Sequence, residues 1–247
     1  DEVIDSILIN DLVLADFNES GWVPRINEVV EETKTVISKV YKRYIEELKE
    51  IKEYLFTRKN KRYYHLFIIL LNTGARVGEI MALEWKDVDF ENSKISIKKS
   101  LYYDSGGIAH LNEMPKNKYS IRDIYVNKET MDIFKERLKI YNDNKEELKN
   151  HFKNNGFVFS RNDGTLEMQG CSAYFSILIK RKVNITSPTH SLRHTHATFL
   201  VEAGHDPKSI QERMGHNDLK TTLNIYTHIS TKKKKELGTN INFFTKK

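Results

Sequence analysis

Tyr63-Tyr64-His65-Leu66-Phe67-Ile68-Ile69-Leu70-Leu71-Asn72-Thr73-Gly74-Ala75-Arg76-Val77-Gly78-Glu79 holds the most apolar helix of the chain and the turn that ends it. From Tyr63 to Asn72 a helix would be apolar on every side, which describes a helix buried in a core. Gly74 closes it as a C-cap. Arg76 then opens a short helix running roughly from Val77 to Leu83, and Glu79 lies one turn on. An Arg with a nearby Glu fits a structural ion pair. A helix N-terminus among small residues also suits an anion, with Glu79 steadying Arg76. The residues themselves leave both readings open.

Outward from this stretch, the pattern is mostly helical. Val36, Val40, Tyr44, Leu48, Ile51 and Leu55 recur three or four apart and line one helix face. Downstream, Lys94-Ile95-Ser96-Ile97 and Arg122-Asp123-Ile124-Tyr125-Val126 alternate as strands do. Gly106-Gly107 and Pro115-Lys116-Asn117-Lys118 supply turn chemistry between them. Residues 94–126 therefore read as a small antiparallel sheet of about three strands. Helix returns from about 128 to 149, Phe157-Val158-Phe159 reads as a short strand, and helices follow at about 170–182, 191–203, 207–214 and 218–226. The expected fold is α+β and mostly α-helical, with a small antiparallel sheet and a polar C-terminal tail beginning at the Lys232–Lys235 run.

Composition narrows the function classes. The chain has 247 residues, enough for one large domain or two small ones. A single cysteine, Cys171, has no partner in the chain for a disulfide framework. Nothing near the N-terminus reads as an export signal, and no apolar run approaches the ~20 residues that cross a bilayer. A cytoplasmic protein without a membrane span is expected. The net charge of +6 is unevenly spread. Residues 1–32 hold nine acids and one base, which leaves 39 bases against 25 acids beyond them, a net of +14. Such a surface attracts a polyanion, nucleic acid above all, although a merely solvated lysine-rich surface has the same composition.

Four clusters carry chemistry. Pro188-Thr189-His190-Ser191-Leu192-Arg193-His194-Thr195-His196 packs three histidines around one arginine, with His190 and Arg193 placed on one face at helical spacing. The spacing of His190 and His194 admits a metal. The Arg193 guanidinium argues instead for phosphate, and a histidine-rich helix start making local hydrogen bonds fits as well. The Arg76–Glu79 pair is the second cluster. The third is Gly215-His216 with Tyr226 ten residues on. Tyr226 reads as a half-buried surface residue, or as a nucleophile whose phenol neighbouring Arg and His groups would activate. The fourth is Lys116, a solvated turn lysine or a proton donor over bound phosphate.

Taken in order, these pieces resemble the tyrosine recombinase family of the phage-integrase type. The resemblance rests on Thr73-Gly74-Ala75-Arg76-Val77-Gly78-Glu79-Ile80, Pro115-Lys116-Asn117 with Ser120-Ile121-Arg122, His190-Ser191-Leu192-Arg193-His194-Thr195, Met214-Gly215-His216, and Thr221-Thr222 with Tyr226-Thr227-His228. It implies a catalytic domain over 33–230, with 1–32 a linker or the remnant of a preceding core-binding domain and 231–247 a tail. On that arrangement the chain is expected to be a fragment of a longer protein, and the tail to dock on its own or a neighbouring subunit.

The resemblance also implies roles. Arg76 and Arg193 clamp the scissile phosphate, and His216 donates another hydrogen bond to it. Tyr226 attacks phosphorus to give a 3′-phosphotyrosyl link and a free 5′-hydroxyl. Lys116 protonates the departing oxygen, His190 manages the tyrosine proton, and Glu79 steadies the site. No metal or nucleotide cofactor is implied. The implied partners are double-stranded DNA at specific recombination sites, three further copies of the chain in a tetramer on two duplexes, and accessory DNA-bending proteins; free protein is expected to be a monomer. Two rivals explain one cluster each. A non-catalytic regulator would use His196–Ala203, Gly204 and Pro207–Met214 as a helix-turn-helix. A metal-dependent phosphodiesterase would use His190, His194 and His196.

Overall fold

Helix Arg62–Thr73 (α2) is buried almost all round, with His65 to Leu70 each at most 2% exposed. The computed structural model describes residues 45–112, 120–166, 170–183 and 188–223. The chain divides after Lys49, and Glu50 onward forms one compact unit. The domain boundaries expected at 32/33 and 230/231 lie outside the described residues.

Preceding α2, a helix over 45–56 (α1) buries Leu48, Ile51 and Leu55, the expected face. Val36, Val40 and Tyr44 lie outside the described residues. Gly74 ends α2 in the left-handed conformation, φ 65°, its N–H donating to the Leu70 carbonyl. A side chain here would also collide with packed neighbours. A Cβ would stand 2.5 Å from the His196 ring and 2.8 Å from Met214 Sδ. The ring is tethered at both nitrogens, so it has little room to give. Gly74→Ala is expected to cost ~2–4 kcal/mol, from the left-handed backbone and overpacking together. A denaturant midpoint within experimental scatter of the unsubstituted chain would contradict this.

The short helix Val77–Met81 (α3) follows. It approaches the strand Ser100–Tyr103 (β3) so closely that a Cβ on Gly78 would meet the Leu101 carbonyl oxygen at 2.4 Å. Val88–Asp89 (β1), Lys94–Ile97 (β2) and Arg122–Tyr125 (β5) make a three-stranded antiparallel sheet in the order β1-β2-β5. The strand β3 pairs separately with Ala109–Asn112 (β4) as a hairpin. Ile95 faces Ile124 across the sheet and both are fully buried. Alternation then places Ile97 and Arg122, opposite each other, on that same inward face. The small antiparallel sheet is present, but its third strand is Val88–Asp89, ahead of the expected 94–126, and the residues between β2 and β5 pair among themselves as the hairpin instead of joining it. The Pro115–Lys118 turn lies outside the described residues.

The long helix Lys128–Leu148 (α4) is capped by the Asn127 side chain, which accepts from the Thr130 N–H. Phe157-Val158-Phe159 is less than the expected strand, only an isolated bridge from Phe157 to Glu84. The reason is local. Arg137 donates from Nε and Nη2 to the Val158 carbonyl and so occupies the acceptor a longer ladder would need. Helices Gly170–Lys180 (α5), Pro188–Glu202 (α6) and Pro207–Met214 (α7) complete the body, and a further helix begins at 219. The helix α6 starts three residues earlier than the pattern suggested, because proline is well tolerated in a first turn. It packs on α2, and Ala197 and Val201 join Ile210 and Met214 of α7 in one buried cluster.

Candidate active site

Two helix ends meet at the site, and both close on a left-handed glycine. Gly215 (φ 64°) ends α7 as Gly74 ends α2. The final carbonyls of a helix have no partner within it and carry its negative end. Here two arginines take them. Arg122 Nε donates to the Arg213 carbonyl at 2.7 Å, and Arg193 Nη2 donates to the Met214 carbonyl. Arg193 Nη1 donates to the Gly74 carbonyl at 2.6 Å, so one guanidinium ties the two turns together. His216 follows directly, its N–H donating to the Gln211 carbonyl and its own carbonyl accepting from Gln211 Nε2.

Arg193 is 5% exposed and is held by backbone carbonyls rather than by a carboxylate. Burial, and then the neighbouring Arg76 charge, lower its pKa to about 9, so it stays a cation at neutral pH. A buried cation with no contacting carboxylate among the described residues is costly to hold and ready to take an anion. Two of its five N–H donors are committed to carbonyls of the described residues.

Glu79 organises the other arginines. Its carboxylate accepts from the Arg76 N–H at 2.8 Å and from Arg76 Nη1 at 2.9 Å, while Arg122 Nη2 donates to it at 2.8 Å. Burial alone would raise the Glu79 carboxyl. The Arg122 bond and charge, then those of Arg76, hold it below the ordinary range. The Arg76 side chain remains 49% exposed, the open edge of the cluster. Arg122 is the residue that sequence reasoning missed. It stood in the family motif without a role, and its signal was a charge in phase with the inward-facing Ile124.

His216 is buried and neutral. Burial, then the charges of Arg193, Arg76, His194 and Arg122, lower its pKa to about 4. Its Nδ1 lies 2.9 Å from Thr222 Oγ1. If the Thr222 hydroxyl donates there, the ring hydrogen sits on Nε2, available to an incoming oxygen. Arg76, Glu79, Arg193 and His216 are therefore brought together. His190 is only partly so. It and Arg193 were expected to share a face, but Arg193 turns into the core while His190 is exposed, its ring 4.4 Å from that of His194. Lys116 and Tyr226 lie outside the described residues.

His196 does not suit the metal rival. Its Nδ1 is 2.8 Å from the Leu71 carbonyl and its Nε2 is 3.0 Å from Arg213 Nε, so both ring nitrogens are engaged. Among the described residues, no group of three or more His, Cys, Asp or Glu side chains could hold a metal ion.

Burial lowers the pKa of His65, His196 and His216 alike to about 4. These rings are neutral in the folded chain and bind protons near 6.5 once unfolded. Above that value they do not affect stability. As pH falls from about 6.5 toward 4, the unfolded chain binds more protons, so stability declines. Melting temperature is expected to drop steadily across that window, and a flat profile would be incompatible with three buried neutral rings.

An arginine cluster of this make-up, on a mostly helical body with a three-stranded sheet and a β-hairpin, has the architecture of an integrase-type catalytic domain. The chain belongs to the phage integrase family, whose model matches residues 36–233. It is similar to the integrase of Staphylococcus phage L54a, 30% identical over 88% of this chain and 64% of that protein. It is also similar to a XerC-like tyrosine recombinase of Caldanaerobacter subterraneus subsp. tengcongensis, 30% identical over 76% of this chain and 50% of that one. The transposase of transposon Tn916 from Enterococcus faecalis is 34% identical over 76% of this chain and 48% of its own length. Among solved structures, the Tn1549 transposon integrase in complex with transposon right end DNA superposes with a TM-score of 0.60 at 28% identity, covering 72% of this chain and 58% of that one. The chain thus spans between about half and two thirds of the relatives it matches.

Proposed function

We propose that this chain is the catalytic part of a site-specific DNA recombinase, or integrase, that cuts and rejoins double-stranded DNA through a 3′-phosphotyrosyl intermediate. The observation that carries the reading is Arg193. It is a buried guanidinium, fixed by the carbonyls of Gly74 and Met214, within electrostatic reach of Arg76 and the neutral His216. Such donors, preorganised away from water, stabilise the negative charge that spreads over the nonbridging oxygens of a phosphoryl transition state. Family membership and the DNA-bound Tn1549 integrase support the substrate class.

In this reading the Tyr226 oxygen attacks phosphorus and the bond to the 5′-oxygen breaks. Lys116 gives that oxygen its proton, and His190 takes the proton of the phenol. Arg76, Arg193 and His216 hold the phosphoryl oxygens, with Glu79 keeping Arg76 in place. The new link retains the energy of the diester, so a 5′-hydroxyl can reverse the step without ATP. Four copies on two duplexes, with accessory DNA-bending proteins, would complete recombination in the cytoplasm. Free chains are monomers. Among the described residues no helix is long and apolar enough to cross a membrane. The regulator reading is not favoured, since binding alone gives no reason to bury Arg193 or to keep His216 neutral.

The test is covalent capture. Nicked duplexes of randomised sequence are incubated with the protein in excess EDTA, so that a short 5′-ended piece leaves and traps the adduct. A denaturant-resistant band attached at Tyr226 is expected. Strand cleavage that leaves no adduct and that EDTA abolishes would point to metal-dependent hydrolysis instead. The Thr222 contact adds a finer expectation. Thr222→Val should slow trapping by ~10-fold, the lower range for losing a group that orients a site histidine, and Thr222→Ser should restore it. An unchanged rate in the Val variant would mean the hydroxyl does not set the His216 tautomer.

A further inference from the structure

Arg213 is used by no step above, yet its guanidinium joins three separate elements. Its Nε lies 3.0 Å from His196 Nε2 on α6. Nη1 donates to the Tyr125 carbonyl at the end of β5, at 3.0 Å. Nη2 donates to the Asn72 carbonyl at the end of α2, also at 3.0 Å. Arg213 cannot accept, so His196 Nε2 must, and the ring hydrogen then sits on Nδ1 and is donated to the Leu71 carbonyl 2.8 Å away. Each partner thus fixes the other's hydrogen, and His196 serves only as the neutral ring. The backbone of the same short segment carries the site: the Arg213 carbonyl receives Arg122, the Met214 carbonyl receives Arg193, and His216 follows two residues later.

We propose that Arg213 and His196 form a positioning latch that holds the 213–216 segment against the end of α2, and so sets where Arg193 and His216 stand. The latch rests on the recombinase reading for its purpose but not for its geometry. Without it, α7 is held to β5 and α2 by fewer bonds, and the Gly215 turn can draw away from Gly74. Arg193 would then be unable to reach both carbonyls at once.

The largest charges acting on His216 are those of Arg193, Arg76, His194 and Arg122. Arg213 is not among these largest contributions, and His196→Phe deletes no cation, so a large change in His216 titration shared by both variants reports movement rather than a deleted charge. The experiment is an NMR titration of the histidine rings in the full chain without DNA, for Arg213→Met, His196→Phe and His196→Gln. His65, buried on α2, serves as the internal reference for an intact core. In Arg213→Met and His196→Phe, His216 is expected to move from about 4 toward its ordinary value while His65 stays. In His196→Gln it is expected to stay, because an amide can donate to Leu71 and accept from Arg213 together. If Arg213→Met unfolds and His65 shifts too, the Phe and Gln variants decide between themselves. His216 titrating as in the unsubstituted chain in the Phe variant, or Phe and Gln behaving alike, would overturn the latch. Trapping on nicked DNA, run beside it, separates the two ideas. An unsubstituted chain that forms no adduct counts against the recombinase reading, while the titration still judges the latch. With adducts formed, the rate constant of the Phe variant should fall at least ~10-fold, as for other lost orienting groups, with the Gln variant within about two-fold of the unsubstituted chain.

Discussion

Tyr226→Phe is expected to abolish the covalent protein–DNA adduct while leaving DNA affinity within about two-fold, because phosphate contacts from Lys and Arg dominate such affinity. The substitution removes one oxygen and nothing else. Arg76 and Arg193 are cations without a lone pair to give, and His216 with Thr222 donating to its Nδ1 presents an N–H rather than a nucleophile. Removing a covalent nucleophile commonly lowers rates by ~10⁴-fold or more, so trapping should fall below detection. Binding should still weaken steeply with salt in both forms, as counterion release requires. An adduct surviving in the Phe variant, mapped to another of the 12 tyrosines, would remove Tyr226 from its role.

What could be read directly from the chain was what is local. The all-round apolar run before Gly74 marked a buried helix, and the i, i+3 spacing of Arg76 and Glu79 marked their contact. Periodicity needs only near neighbours, so it finds α2, α4 and the strands β2 and β5, but not how they pair. The links that make the site are long-range and leave no periodic trace. Arg122 reaches Glu79 from 43 residues away, and Arg193 reaches Gly74 from 119. Their acceptors include backbone carbonyls, which every residue has and no sequence pattern singles out. His190 and Arg193 show the limit of face arguments. Residues three apart lie only ~60° apart round a helix, yet at the edge of the buried stripe that angle separates an exposed ring from a buried guanidinium. For Lys116 and Tyr226 the chemistry of the residues leaves two readings each, their roles come from the resemblance, and both lie outside the described residues.

Arg193→Lys is expected to lower the rate of adduct formation by ~10²–10³-fold, the usual effect of losing a preorganised donor at a developing charge. The charge is nominally kept, so the loss must come from geometry and from burial. Geometry acts first. The guanidinium bridges the Gly74 and Met214 carbonyls with two nitrogens and still has N–H groups for a phosphoryl oxygen. An ammonium gathers its three donors at one atom and cannot span both carbonyls and the ligand. Burial acts second. The surroundings that lower Arg193 to about 9 leave an arginine charged. A lysine starts from a lower ordinary value, so the same desolvation and the same Arg76 charge would bring it near neutrality and remove its proton in the assay range. The variant should therefore show a second signature: its residual activity falls as pH rises through neutrality, while the unsubstituted enzyme does not lose activity there from this group. Near-normal trapping by the Lys variant, with an unchanged pH profile, would mean that Arg193 is only a structural tie between two helix ends.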